Sequence, residues 1–267
     1  MSRHELWARL WRWIAAFGLD LHVLRGALGA LPSVLRDYRQ FQQQNNQHGA
    51  RYAVSLNYPL LVDKGKTAGL ANPQYFYQDY MIARKIYLRS PERHVDVGSS
   101  IEGFVAHVAV FRPVEVFDIR PLTTSIPNIV FRQCDFMQPP AELTGYCDSL
   151  SCLHVLEHFG LGRYGDPVDI HGHLKGFAGL RRVLQPGGTL YLSVPISHRE
   201  RVEFNAHRIF SIQTILEMAQ EQFDLVCFSY VDDSGNLHEA AASRAGGIDP
   251  HLELEYGLGI FEFRKRA

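Results

Sequence analysis

The sequence predicts an α/β fold built on a mostly parallel sheet, preceded by a helical extension. Three observations carry that prediction. Residues 93–120, RHVDVGSSIEGFVAHVAVFRPVEVFDIR, run strand, tight turn, helix, strand. Short apolar runs recur at 94–97, 114–117, 129–133 and 147–153, as in buried strands. A helical pattern at 170–184 ends in Gln185-Pro186-Gly187-Gly188 before the apolar strand 189–194. Pro186 cannot continue a helix, and the two glycines allow the positive φ of a tight turn.

Taken in order, residues 3–44 read as helices. Leu6, Leu10, Trp13, Phe17, Leu21 and Leu24 fall at helical spacing, and Trp7, Trp11 and Ile14 widen the apolar face. Arg3, Arg9 and Arg12 lie among them. Gly26, Gly29 and Pro32 predict a break, and the run QQQNNQHG a linker. Residues 1–50 therefore form an N-terminal helical extension, 51–73 a connecting segment, and 74–267 the α/β domain. Two readings of the first helix stand. It packs on the domain or on a second subunit, or it is a basic amphipathic helix on a membrane surface with its Trp residues at headgroup level. Residues 74–90 form a helix rich in aromatics: Tyr75, Phe76, Tyr77, Tyr80 and Tyr87. Gly98-Ser99-Ser100 closes the strand 94–97, and Phe104, Val105, Val108 and Phe111 then mark a helix that Pro113 stops. Ser211 is a good N-cap for a helix at 211–222. A strand at 223–231, a polar loop at 232–250 and a last strand at 258–264 complete the chain.

Composition narrows the class. The 267 residues suit one large domain with an extension, and 46% hydrophobic content allows a sizeable core. A net charge of −1 argues against coating nucleic acid by bulk electrostatics. Cys134, Cys147, Cys152 and Cys227 form no Cys-x-x-Cys pair and no zinc-ribbon spacing. Three of them fall in apparent strands, where a free Cys reads as a small buried hydrophobe, and a reducing cytoplasm is the simple expectation. No apolar run approaches the roughly 20 residues of a transmembrane helix, and no secretory cleavage pattern stands at the N-terminus.

A strand, a small-residue turn, a helix and a second strand ending in an acid form half of a nucleotide-binding unit. Asp118 lies about 20 residues past the turn, where such units place the carboxylate that accepts from ribose hydroxyls. With the Leu-x-Pro-Gly-Gly element, these motifs resemble the class I S-adenosylmethionine-dependent methyltransferases. That family's turn is Gly-x-Gly-x-Gly. Here Gly98 stands first, Ser100 takes the second position, Glu102 the third, and Gly103 comes one residue late. The resemblance covers roughly residues 74–264. It implies a Rossmann-like class I methyltransferase sheet, mostly parallel with an antiparallel last strand, and S-adenosylmethionine as cofactor. The implied cofactor contacts are Asp96, Gly98, Ser99 and Ser100 at the turn, Asp118 and Ile119 at the ribose, Asp135 and Phe136 at the adenine, and Leu153 beside the methyl donor. Asp135 is equally able to act as a helix N-cap. In this fold the helix before the first strand often lies over the cofactor cleft, where Tyr77 or Tyr80 would stack; the same stripe also reads as core. The stretches YFYQDYMIARKIY, HVDVGSSIEGFVAH, VEVFDIRPL and LHVLEHFGLGRYGDPVD are similar to an uncharacterised bacterial methyltransferase-like family. Several of its members lie in surface-polysaccharide gene clusters, which implies a sugar or glycan-related acceptor.

His154-Val155-Leu156-Glu157-His158 is the richest chemical cluster. As His-x-x-Glu-His it matches the inverted zincin pattern. Its place directly after a buried-type strand argues against a zinc peptidase, which needs a long helix there. Within the resemblance, the cluster is similar to the metal-binding Glu-x-x-Glu-His element of some O-methyltransferases, with His154 in place of the first Glu. His207 matches a further ligand of the ribose-methylating members. The resemblance thus implies His158, Glu157 and His154 as catalytic groups, and His154, Glu157, His158 and His207 as a divalent-metal site. Imidazoles lining the pocket without metal are the alternative, with His158 as general base. Arg199, Arg201 and Arg208 would face an anionic group of the acceptor or lie solvated on the surface. Two rivals remain: a non-catalytic scaffold in glycan assembly, which the altered turn supports, and a Rossmann enzyme for a nicotinamide or nucleotide-sugar ligand.

Overall fold

The computed structural model describes residues 3–63, 72–243 and 252–267. The chain divides into two compact units, Met1–Gly69 and Leu70–Ala267. The first unit contains α1 (Arg3–Ala16) and α2 (Leu21–Gln47). The break between helices falls at residues 17–20, not at Gly26–Pro32 as the composition suggested. Gly18 takes φ +84° there, and the Asp20 carboxylate accepts from the backbone N–H groups of His22 and Val23. That cap fixes the start of α2 and satisfies two of its orphan donors. α2 then runs through Pro32 and takes in the run QQQNNQ, which was expected to be a linker. Gln is a good helix former, so a polar run of this kind extends a helix already begun.

The second unit opens with α3 (Pro73–Arg89), capped by the Asn72 side chain on the Tyr75 N–H. β1 (His94–Val97) leads through an irregular wide turn at Ile101–Val105 into α4 (Ala106–Ala109). β2 (Val114–Asp118), β3 (Ile129–Gln133) and β4 (Cys147–Leu153) follow, then α5 (Gly172–Val183) and β5 (Leu184–Ile196). A two-stranded hairpin, β6 (Arg201–Glu203) and β7 (His207–Ile209), precedes α6 (Ile212–Ala219), β8 (Phe223–Val231), β9 (Leu237–Ser243) and β10 (Gly257–Lys265). The main sheet has the order β3-β2-β1-β4-β5-β10-β8-β9. β1 to β5 pair in parallel, and β10 inserts antiparallel between β5 and β8. This is the expected Rossmann-like architecture with an antiparallel last strand.

Side chains alternate across the sheet and give it two cores. One face packs Leu150, Leu190 and Leu192 with Phe177 and Leu180 of α5 and Ile215 of α6. The other packs Val114, Val116 and Ile260 with Ile82 and Ile86 of α3 and Phe104 and Val108 after the turn. Fully burying one such side chain stabilises by about 1.5–3 kcal/mol, so both helical layers are firmly held to the sheet. Glu262 of β10 adds an ionic tie by pairing with Lys85 and Arg89 of α3.

Two elements escaped the sequence pattern. Residues 232–250, read as a loop, contain β9, which pairs with β8. Asp232 forms the connection by accepting from the Ser234 and Asn236 N–H groups and from the His238 ring, which stacks on Tyr230 at 4.3 Å. An edge strand tolerates this polarity, because one side of it needs no apolar partner. β5 begins five residues early, at Leu184, and carries Pro186-Gly187-Gly188 within it; Gly187 has the expected positive φ of 73°.

A chain of buried polar groups lies under the end of β1. A carboxylate only accepts, so the Ser151 hydroxyl must donate to Asp96 at 2.6 Å. Ser151 then accepts from His94 Nε2 at 3.2 Å, and His94 Nδ1 accepts from Ser149 at 2.9 Å. Burial lowers the His94 pKa to about 3, consistent with this neutral tautomer. Replacing Ser151 with Ala leaves Asp96 and His94 each short of a buried partner. Urea unfolding is expected to show a loss of about 1–3 kcal/mol; an unchanged midpoint would contradict this reading of the network.

Candidate functional site

A cleft of about 680 Å³ opens at the carboxyl ends of β1, β2 and β4, where ligands of such sheets bind. Its floor is the turn after β1. Gly98 has φ +69°, and a Cβ there would lie 2.8 Å from Val155. The Ser99 N–H and hydroxyl both donate to Asp96, at 3.0 and 2.7 Å. Ser99 Oγ also accepts from the Leu153 N–H, which ties the turn to the end of β4. Asp96 itself is fully buried and does not line the cleft. Its pKa is pushed up to about 6 by burial, against the hydrogen bonds from Ser151 and Ser99. Asp96 therefore braces the turn from beneath, a correction to its expected place as a cofactor contact.

The displaced glycine of the turn has a packing cause. Gly103 leaves the helical region at φ −94°, ψ −106°, and a Cβ on it would meet Asp79 of α3 at 2.7 Å. The glycine is needed at 103, while Glu102 faces open space at the cleft mouth.

Gly98, Ser99, Ser100, Asp118 and Leu153 line the cleft. Ile119, Asp135 and Phe136 line a narrow adjoining slot of about 50 Å³, with Met137 and Phe159. Asp135 caps its own turn, accepting from the Met137 N–H at 2.8 Å, and the next helical turn is a short 3-10 segment at Ala141–Leu143. Asp118 is engaged by a residue the sequence reading missed. Arg120 holds it through Nε at 3.0 Å and Nη2 at 2.5 Å, and lies 4.5 Å over the Tyr164 ring. Arg163 covers the same ring at 5.1 Å. The guanidinium groups of the cleft are thus Arg120 and Arg163. Arg201 pairs with Glu203, and Arg208 is buried among backbone carbonyls.

The histidine cluster forms one wall. His154 follows β4 directly with φ +56°, a left-handed conformation that costs a residue bearing a side chain about 1–3 kcal/mol. Its N–H bonds the Ser193 carbonyl at 3.0 Å, and Tyr75 of α3 stacks on its ring at 4.6 Å. Of the residues considered for stacking over the cleft, Tyr77 packs against the core and Tyr80 is exposed. His154 Nδ1 donates to Glu157 Oε1 at 2.9 Å. Glu157 is buried, and its Oε2, like His154 Nε2, has no hydrogen-bond partner. His158 Nδ1 lies 2.7 Å from the Ala206 carbonyl, which the β6–β7 hairpin brings across. A carbonyl only accepts, so Nδ1 carries the proton and Nε2 of the neutral ring keeps its lone pair. Burial holds the His158 pKa below its ordinary 6.5, outweighing the opposing influence of Glu157.

These groups do not meet as the expected metal site. Among the described residues no three His, Cys, Asp or Glu side chains are placed to hold one ion. Glu157 Oε1 and His154 Nδ1 engage each other, His158 Nδ1 engages a carbonyl, and the His158 and His207 rings stand 6.4 Å apart.

Comparison with solved structures shows the fold. The chain is similar to the N-methyltransferase NodS of Bradyrhizobium japonicum WM9 bound to S-adenosylhomocysteine, at 16% identity over 74% of this chain and 90% of that one, with TM-score 0.50. It is similar to 1,6-didemethyltoxoflavin-N1-methyltransferase of Burkholderia thailandensis, also with S-adenosylhomocysteine, at 15% identity over 76% and 94%, TM-score 0.51. The 4+2 cyclase SpnF matches at 16% identity over 72% and 80%, TM-score 0.50. The second unit thus has the Rossmann-like fold of class I methyltransferases. A family model described as Caenorhabditis protein of unknown function, DUF268, matches residues 125–246. A comparison with curated proteins found no match.

The wall that carries His158 is anchored by Arg208, whose guanidinium donates to the carbonyls of Glu157, Phe159, Asp169 and Ile170. Arg208→Met would strand these acceptors. It is expected to lose about 1.5–3 kcal/mol and to speed amide exchange across 157–170; unchanged exchange there would contradict the anchor.

Proposed function

We propose that this chain is an S-adenosylmethionine-dependent methyltransferase acting on a hydroxyl group, with a sugar or glycan-related acceptor. The observation that carries the reading is His158: a neutral imidazole in the cleft wall with its Nδ1–H fixed and Nε2 left to accept a proton. The acceptor class is carried over from the sequence resemblance, and links to surface-polysaccharide assembly come from there as well. The residues suit the coenzyme. The Gly98 turn gives its backbone close approach, Ile119 and Phe136 flank a flat slot for adenine, and Asp118 is placed for ribose once Arg120 releases it. When bound, S-adenosylmethionine supplies an electrophilic methyl group on its sulfonium.

The chain's own part is positioning and one proton. Alignment of reactants is worth about 7–11 kcal/mol of barrier, and a general base about 10²–10⁴-fold in rate. His158 Nε2 takes the hydroxyl proton as the acceptor oxygen becomes nucleophilic. The Ala206 carbonyl keeps the other nitrogen protonated, and Glu157 Oε1, 3.9 Å from Nε2, favours the imidazolium that forms. His154, strained and stacked, holds Glu157 in place. Among the described residues no three donor side chains are placed to hold one ion, so the proton is assigned to His158 itself.

The second reading is a non-catalytic scaffold with this fold. The Asp118–Arg120 pair favours it, since the ribose carboxylate already has a partner.

Methyl-labelled S-adenosylmethionine offered with a panel of hydroxylated sugars tests the proposal. Label transfer is expected from wild type, and a loss of about 10²-fold or more in His158→Gln with S-adenosylhomocysteine affinity unchanged. A fully active variant would sink the role of His158. Because its pKa is lowered, the ring stays neutral at pH 6.5 and gains a proton only below it. The acid limb of kcat/KM is therefore expected below pH 6.5. Chelation by EDTA is expected to leave turnover unchanged; activity lost and then restored by a divalent ion would reinstate a metal at this cluster.

A further inference from the structure

We propose that the N-terminal unit is a docking arm for an anionic lipid surface, with α1 lying in the plane of the headgroups. At about 100° per residue, Trp7, Leu10, Trp11, Trp13 and Ile14 sweep about 160° of α1. Arg12 falls on the opposite arc by the same spacing. The structure leaves the apolar arc open within this unit: Trp7, Trp13 and Phe17 are 61%, 68% and 80% exposed. α2 continues the pattern, with Val23, Leu24 and Leu28 more than half exposed and no residue buried.

Length and charge decide what covers this face. The 14 residues of α1 give about 21 Å at 1.5 Å per residue, short of the roughly 30 Å hydrocarbon core. Among the described residues no single helix is long and apolar enough to cross a membrane; Leu10–Ala16 and Leu21–Gln47 reach that length and composition only together, across a 75° bend that a straight span would not have. Lying in the interface is the arrangement that such a helix suits. Residues 1–50 hold six arginines (Arg3, Arg9, Arg12, Arg25, Arg36, Arg39) and three acids (Glu5, Asp20, Asp37), a net +3. The whole chain carries −1, so the other residues carry −4. The cationic charge thus gathers where the indoles are, as binding to anionic headgroups requires. A second copy of α1 would cover only a narrow seam; a planar lipid surface receives the whole arc. The proposal is independent of the methyl-transfer reading.

All three tryptophans of the protein lie in α1, so intrinsic fluorescence of the full chain reports this helix alone. Vesicles of phosphatidylcholine mixed with phosphatidylglycerol are expected to shift the emission to the blue and to carry the protein upward on flotation. Phosphatidylcholine alone is expected to do neither. The paired reversal Arg9→Glu and Arg12→Glu, or high salt, is expected to weaken binding about tenfold or more. Trp7→Ser with Trp13→Ser is expected to abolish flotation. Absence of both the shift and flotation with anionic vesicles would overturn the proposal. So would an emission that is already blue without lipid and reddens on dilution, which would assign the face to a second copy.

Discussion

The cleft depends on the abrupt end of β1. Four residues of strand, all buried, must stop and turn so that backbone rather than side chain faces the ligand. Gly98 makes the turn because its φ of +69° and the contact with Val155 leave no room for a Cβ. Asp96 then fixes the turn by gripping both polar groups of Ser99. Ser99 in turn holds the end of β4, from which the His154–His158 wall departs. Floor and wall are thus set by one small buried network. The network is satisfied from below by Ser151 and His94, so a buried carboxylate persists where an isolated one would be expensive.

The electrostatics of the cleft are balanced in pairs. Glu157 faces His154 and His158, Asp118 faces Arg120, and Tyr164 lies against both Arg120 and Arg163. Arg120 is the group that must yield if Asp118 is to hold a ribose. The left-handed His154 shows that the wall is held under strain by its surroundings, a feature that accumulates at functional sites. Fold alone does not assign chemistry. The same architecture in SpnF belongs to a cyclase, so the turn, the slot and His158, rather than the sheet, are what favour methyl transfer.

Much of this was legible in the sequence. The strands that build the cleft are short apolar runs, and their ends fall at Gly98, Asp118, Asp135 and His154, where turn and polar residues interrupt the pattern. The parts that escaped notice depend on contacts between distant residues. Nothing local says that Arg120 folds back on Asp118, that Tyr75 stacks on His154, or that Ala206 arrives to fix the His158 tautomer. The hairpin strands at 201–203 and 207–209 are too short to show a period, and the Leu-His-Glu-Ala-Ala-Ala-Ser of β9 lacks the alternation that marks a half-buried strand. α2 runs unbroken through Gly26, Gly29 and Pro32, which local propensity marks as breakers. The metal site follows from residue types alone; in the structure the described donors do not converge on one ion.

Calorimetric titration of the purified protein with S-adenosylhomocysteine, with NAD as control, tests the central claim most directly. Micromolar binding of S-adenosylhomocysteine, absent for NAD and lost in Asp118→Ala, is the predicted result. A folded protein that binds no S-adenosylhomocysteine would mean that Arg120 does not release Asp118, and would leave the fold as a scaffold.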